Sequence, residues 1–366
     1  MFLKNILLND FRNYDKILWE PCNGINFITG SNAQGKTNLL EAVFFSGLGY
    51  SFRKKDRDVI RWGKTHSSVR ATYFLKDMPV DIVADINEEG KKKILINGAE
   101  DGRKFLPGRF GIVLFRPDDL ETIKGPPARR REFIDNEIGM IEPVYRRRLQ
   151  QYRRVVEQRN NLLRVGGGKD LQSLKIWNEQ FYRYGAEVLS GRIKLLKKYS
   201  PLVREMYASI AGNHENLEIK YLSTVKISGG TDTEQIINDF IFEGKTREKE
   251  EFYKKQTVIG PHRDDIVFLI NKQDARHYGS QGQIRSIVLA LKTAQLQLFR
   301  LETGEQPILL LDDVLMELDD RRQHYLLQLI AGKYQSFITS TTLDDSIKRY
   351  VDRVYFVNKG TVKEES

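Results

Sequence analysis

The chain has 366 residues, 40% apolar and 30% charged with a net charge of +10, enough for two domains or one core with an inserted lobe. No apolar run approaches the roughly 18 residues of a membrane span, and "MFLKNILLNDFRN" is too short in its apolar stretch and too polar for a signal peptide. A single cysteine, Cys22, excludes an intrachain disulfide, and no metal-ligand cluster stands out among five histidines, so a protein of the reducing cytoplasm is expected.

Along the chain, "KNILLNDF", "DKILWE" and "GINFIT" are short apolar or alternating runs bounded by Asn, Asp and Gly, and predict strands. "GSNAQGKT" (30–37) follows them and fits G-x-x-x-x-G-K-[ST]. Its glycines let the loop formed by Gly30, Ser31, Asn32, Ala33, Gln34 and Gly35 wrap a phosphate with inward backbone N–H groups. The helix expected over 38–48, opened by Asn38, adds its positive end. Lys36 is expected at the β- and γ-phosphates of ATP, and the Thr37 hydroxyl on Mg2+. "SVRATYFL", "VDIVADI" and "KKILING" then predict an antiparallel meander, and "GIVLF" (111–115) a buried strand.

Residues 129–212 read as helical. Tyr145, Leu149, Tyr152, Val156 and Leu163 form one stripe, and Leu174, Trp177, Phe181, Tyr184 and Val188 a facing one. "VGGGKD" turns the chain between them, giving an antiparallel hairpin too short for a long coiled coil. Residues 124–200 hold 18 Lys and Arg against 8 Asp and Glu, so this segment carries the whole net charge. Arg129, Arg130, Arg131, Arg146, Arg147, Arg148, Arg153 and Arg154 lie off the stripe. Arg forks suit backbone phosphates and position a duplex without reading its sequence. A solvated face with internal ion pairs is the ordinary alternative, but with Glu142 and Glu157 nearby there are too few acids to pair these arginines. A further helix is expected from Ser200-Pro201, a short strand at "LEIKYL" and a helix over 232–252.

Strands are expected again at "TVIG" and "DIVFLI". Between them "GPHRDD" (260–265) reads either as a Pro-ordered turn with an Arg–Asp pair or as part of a nucleotide or dimer surface, and His262 receives no role. In "YGSQGQIRSIVLALKTAQ", Ile284, Ile287, Val288, Leu291 and Ala294 recur at helical spacing. Packing does not call for the turn ahead of them, with Ser280, Gly282 and Gln283. Ser280 is expected to cap the helix, leaving a phosphate-sized positive end. "PILLLDD" predicts a buried strand ending in Asp312, suited to hold Mg2+, and Asp313, placed to act on an attacking water. "YQSFITS" and "RVYFVNKGTVKE" predict the last strands. Strand-rich ends around a helical middle imply one α/β core, 1–123 with 257–366, split by a helical lobe at 124–256.

With P-loop, Ser-Gln-Gly-Gln and acidic strand in one chain, the sequence resembles the ATP-binding-cassette class and, within it, the RecF family of bacterial recombination-repair ATPases. The resemblance runs nearly end to end through "FRNY", "GSNAQGKTNLLEA", "RDVIRWG", "FRPDDL", "KGPPARRREFID", "GPHRDD", "GSQGQ" and "LLLDDVLMELD". It implies an ATP-binding-cassette head, a P-loop α/β core with antiparallel strands and an inserted helical lobe. It further implies a weak Mg-dependent ATPase that dimerises on ATP. Such a protein binds duplex and gapped DNA and works with RecR and RecO to load RecA. Ser280, Gly282 and Gln283 take the signature position. Glu317, Leu318 and Asp319 take the loop that touches the other subunit, and Arg12 and Asn13 the adenine end. Two features depart from transport-type cassettes: Thr341 or Thr342 stands where they place a histidine, and "LFRPDD" offers no glutamine. The competing reading, the ATPase subunit of a transporter, is opposed by those departures and by the arginine-rich lobe.

Overall fold

The computed structural model describes residues 1–366 apart from 54, 101–109, 167–170, 213, 229 and 366. Internal contacts divide it into two units, Met1–Asp119 with Leu291–Ser366, and Leu120–Ala290. The second unit thus extends past the boundary expected at residue 256.

In the first unit, INFIT forms β3 (Ile25–Thr29) and ILLLD forms β12 (Ile308–Asp312), both buried almost throughout, as strands inside a parallel sheet are. With β8 (Ile112–Phe115), β13 (Ser336–Thr339), β14 (Arg353–Asn358) and β15 (Thr361–Glu365) they make a six-stranded sheet ordered β15-β14-β3-β13-β12-β8. All neighbours are parallel except the β14–β15 hairpin. Register decides the site: Asp312 stands opposite Thr339, and Thr339 opposite Ile28, so the carboxyl ends of three strands share one edge. That edge is where open parallel sheets bind ligands.

β1 (Phe2–Phe11), β2 (Tyr14–Trp19), β4 (His66–Leu75), β5 (Met78–Asn87), β6 (Lys92–Ile96) and β7 (Ala99–Glu100) form the expected antiparallel sheet, ordered β2-β1-β4-β5-β6-β7. The helix Lys36–Leu48 packs against strands of both sheets. Its sequence is apolar on every side, so it is buried from Leu39 to Leu48.

The second unit holds helices Pro127–Ile141, Pro143–Gly166, Leu171–Ala211 and Thr233–Lys254. Tyr145, Tyr152 and Leu163 are buried on one arm of the hairpin and Leu174, Phe181 and Val188 on the other; Tyr152 stacks on Phe181 with ring centroids 5.8 Å apart. The turn expected at "VGGGKD" falls at residues 167–170, outside the described residues. No new helix begins at Pro201, which lies inside Leu171–Ala211. A proline there costs about 3 kcal/mol, which burial of Val203, Met206, Tyr207 and Ile210 just beyond it offsets. "TVIG" is not a strand, and "DIVFLI" forms β10 (Asp265–Ile270) in a different sheet from the one expected. It pairs with β9 (Leu217–Leu222) and β11 (Gln273–Asp274) in this unit. Its alternating burial leaves one face outward, unlike the central strands of the parallel sheet. No helix among the described residues is long and apolar enough to cross a membrane.

Candidate functional site

The loop after β3 is built for an anion. Gly30 has φ 142°, and a Cβ there would lie 2.3 Å from the Val357 carbonyl oxygen; Gly35 has φ 119°, so both positions demand glycine. Helix Lys36–Leu48 starts with no side-chain cap and no acid in its first turn, which leaves its N–H groups and positive end for a ligand. Lys36, 5% exposed, bends back over the loop and donates to the carbonyls of Gly30 at 2.7 Å and Ser31 at 3.2 Å. Thr37 Oγ1 donates to Asp312 Oδ1 at 2.8 Å, and the Thr339 hydroxyl lies 3.1 Å from the same oxygen. Asp313 takes a left-handed conformation, φ 55°, its N–H donating to Thr339 Oγ1 at 3.0 Å. Such strain is characteristic of functional positions. Burial, and then the charge of Asp312, raise the Asp313 carboxyl above the ordinary carboxylate range, against the pull of Lys36.

These residues fit Mg-nucleotide. A hydroxyl and a carboxylate meeting at hydrogen-bond distance are hard oxygen donors, and Mg2+ takes one or two such ligands plus waters and phosphate oxygens. Among the described residues no group of three or more His, Cys, Asp or Glu could hold a metal unaided. A cation here therefore fits as the companion of a phosphate.

Arg12 and Asn13, expected at an adenine, are engaged inside the protein. Arg12 grips Glu41 with two hydrogen bonds of 2.7 and 2.8 Å, and Glu41 also pairs with Arg53 at 3.4 Å. Asn13 donates to the Gln34 carbonyl and accepts from Asn38, each at 2.8 Å, while Tyr14 donates to the Gly35 carbonyl at 3.0 Å. "FRNY" thus braces the outside of the phosphate loop. Sequence reading missed Glu41, Arg53, Tyr14 and Thr339. Glu41, wholly buried on an apolar helix, was the available signal, since a buried acid implies a cation.

The turn before helix Gln281–Thr303 is exposed at Ser280 and Gln281. Ser280 Oγ accepts the Gln283 N–H at 3.2 Å, and the Ser280 N–H donates to Gln283 Oε1 at 2.8 Å, a reciprocal capping box. Gln283 Nε2 also donates to Glu215 at 2.7 Å. Ser280 thus caps the helix as expected, and the return bond from Gln283 is the part that the sequence did not announce. Asp319 likewise caps helix Asp320–Ile330, accepting the Arg322 N–H; Leu318 is buried and Glu317 half-buried.

The basic segment divides. Arg130 is 3% exposed, holds Asp265 through two hydrogen bonds and donates to the carbonyls of Ile123 and Gly125. Its guanidinium is spent inside the protein, which leaves it nothing to offer a DNA phosphate, and its acidic partner Asp265 lies far along the chain, where the local count of acids could not register it. Arg131 is half-buried and donates to the Asp264 carbonyl; Arg146 is half-buried beside Gly139. Arg129, Arg147, Arg148, Arg153 and Arg154 are exposed, three of them within 4 Å of Glu132, Glu187 and Asp135 respectively: Arg129, Arg148 and Arg153.

"GPHRDD" forms part of the interior of the second unit. Asp264, fully buried, accepts from Tyr221 and Thr224, and Asp265 meets Arg130. Arg192 donates to the Pro261 carbonyl and clasps Asp135. Tyr152 meets His262 Nδ1 at 2.7 Å. Burial, reinforced by Arg263, pushes the imidazole down to about 3, so it is neutral at ordinary pH.

The P-loop strand, the acidic strand one place beyond its neighbour, the antiparallel sheet and the separate helical unit define an ATP-binding-cassette ATPase head. The family described as RecF/RecN/SMC N terminal domain matches residues 2–363. A solved Smc head bound to the C-winged helix domain of ScpA shares the fold, with TM-score 0.59, 16% identity and coverage of 100% of this chain and 97% of that one. Within that class the chain belongs to the RecF family. It is 43% identical to the DNA replication and repair protein RecF of Desulforamulus reducens, over 100% of both chains. It also matches the structure of the recombination mediator protein RecF-ATP in the RecFOR pathway, with TM-score 0.91 and 35% identity, covering 100% of this chain and 98% of that one.

Proposed function

We propose that this chain is an ATP-switched DNA-binding protein of replication and recombinational repair. In this reading it dimerises on ATP, binds duplex DNA and gap junctions through its basic second unit, and helps load RecA with RecR and RecO. It is a weak, Mg-dependent ATPase. The transporter alternative loses its support with membership of the RecF family. The observation that carries the reading is the meeting of Lys36, Thr37, Asp312 and Thr339 at one sheet edge.

Bound Mg-ATP would supply the electrophilic phosphorus and its leaving group. Lys36 would turn from its loop carbonyls to offset phosphate charge, and Thr37 and Asp312 would hold the cation. Asp313 would orient the attacking water and accept a proton from it. Arg12 and Asn13 keep the loop in shape at the base end. Ser280 and Gly282 of one copy close over the nucleotide held by Lys36 of the other. Arg129, Arg147, Arg148, Arg153 and Arg154 meet DNA phosphates. Fluorescence anisotropy with gapped duplex tests the switch: ATP with Mg2+ should tighten binding and ADP should not. Identical binding under all conditions would remove the switch.

A further inference from the structure

The turn at Ser280 is held by a residue far from it in sequence, Glu215. A glutamate at the far corner of a capping box accepts with either oxygen, but Gln283 has one, so its box closes only when the amide faces one way. Gln283 Nε2 donates to Glu215 Oε1 at 2.7 Å, across 68 positions of chain, and Gln283 Oε1 thereby points at the Ser280 N–H. A carboxylate only accepts hydrogen bonds, so Glu215 rejects the flipped amide. Glu215 is itself braced. Its other oxygen accepts the hydroxyl of Tyr207, a fully buried residue near the end of helix Leu171–Ala211, at 2.5 Å. The next residue, Asn216, exchanges two hydrogen bonds of 2.9 Å with Asn271: its N–H donates to Asn271 Oδ1, and its carbonyl accepts the Asn271 N–H. Leu217 then opens β9 opposite Ile270 of β10. On the other side of the turn, the Gly279 N–H donates to the Ala275 carbonyl at 3.0 Å, and a Cβ on Gly279 would lie 2.5 Å from that oxygen. Elements of the second unit thus grip the turn from both sides.

A glutamate in place of Gln283 would close the box unaided, but it would set a negative charge on the first turn of a helix whose positive end is offered to a phosphate. A neutral amide held from behind keeps that charge one side chain further away. We infer that Glu215 is a positioning residue for the turn that covers the second copy's nucleotide. It acts through Gln283, fixing the amide and with it the backbone of Ser280. This role rests on the composite site proposed above.

Two measurements on the full chain test it: hydrogen exchange of the free monomer, and sedimentation at saturating Mg2+ and ATPγS. Glu215→Lys presents a donor, which draws the Gln283 oxygen away from Ser280; Glu215→Gln keeps an acceptor. In Glu215→Lys, exchange over residues 279–283 should quicken about 10-fold while β9 and β10 keep their protection. Association should weaken about 10-fold per composite site, so about 100-fold for a dimer with two. Glu215→Gln should stay within about threefold of wild type in both measurements. Faster exchange throughout β9 and β10 would make Glu215 a support of the fold alone and overturn the role. Unchanged association by Glu215→Lys, whether or not its turn loosens, overturns it too. Wild type that stays monomeric with ATPγS overturns the composite site instead, and exchange then still decides whether Glu215 holds the turn.

Discussion

Lys36 and Asp312 should fail differently when replaced. Lys36→Ala removes the cation that offsets β- and γ-phosphate charge, so ATP binding should be nearly lost. Asp312→Asn mainly disturbs the metal, so much affinity should remain while phosphate release stops. Wild-type hydrolysis by Lys36→Ala would end the P-loop assignment. Two neighbouring arginines should differ as sharply. Arg130→Ala leaves Asp265 without its partner and should cost about 3–5 kcal/mol in denaturant melts; Arg129→Ala, exposed, should stay within about 0.5 kcal/mol. His262 makes a pH prediction. Its folded value of about 3 lies below the ordinary 6.5, so the unfolded chain takes up the proton first. The neutral, buried ring beside Arg263, Arg131 and Arg159 therefore contributes fully above pH 6.5, and that contribution falls as pH drops toward 3. By pH 5 the loss should be about 2 kcal/mol, at about 1.4 kcal/mol per pH unit. Melts of wild type and His262→Gln across pH 7.5 to 5 check it: the variant should fall less steeply, and parallel curves would contradict the prediction.

At the scale of elements, helix Gln281–Thr303 begins in a turn that serves two purposes. Its capping box is complete within one copy, so Ser280→Ala should cost about 1 kcal/mol of stability. The exposed surface of the same turn is the proposed cover for a second copy's nucleotide. Ser280→Arg should therefore block ATP-dependent dimerisation by bulk while monomer nucleotide binding survives. Mixed with Lys36→Ala, it should regain association in light scattering, because the mixed dimer keeps one composite site with an intact P-loop and an intact turn. Normal dimerisation by Ser280→Arg alone would discard the geometry. Elements with strong periodicity were legible: INFIT, ILLLD and both hairpin arms appear where apolar spacing puts them. Pro201 misled because burial beyond it outweighs a local helix penalty. "TVIG" misled because a short apolar run does not specify a strand without a pairing partner.

For the whole molecule, the charge excess concentrates in the second unit, but only its exposed part can release counterions from DNA. Arg147→Ala with Arg154→Ala, both exposed, should weaken duplex binding alike for all sequences and flatten the salt slope by about 1 to 2, with unchanged melting. A folded double variant with the original affinity and slope would move DNA elsewhere. Which arginines remain for that task could not be read from a charge count. Asp265, Asp135 and Glu187 are far along the chain from Arg130, Arg153 and Arg148, and only folding sets them side by side. The sequence alone determined what is local: the glycines that a phosphate loop needs, the acid ending a buried strand, the capping serine and the two apolar stripes. Each depends on backbone conformation or spacing within a few residues. Tertiary structure decided what depends on strand order and register. It set Thr37 against Asp312 and joined "DIVFLI" to "LEIKYL" in the second unit. Those pairings link residues scores of positions apart, and no local pattern encodes which buried strand lies beside which.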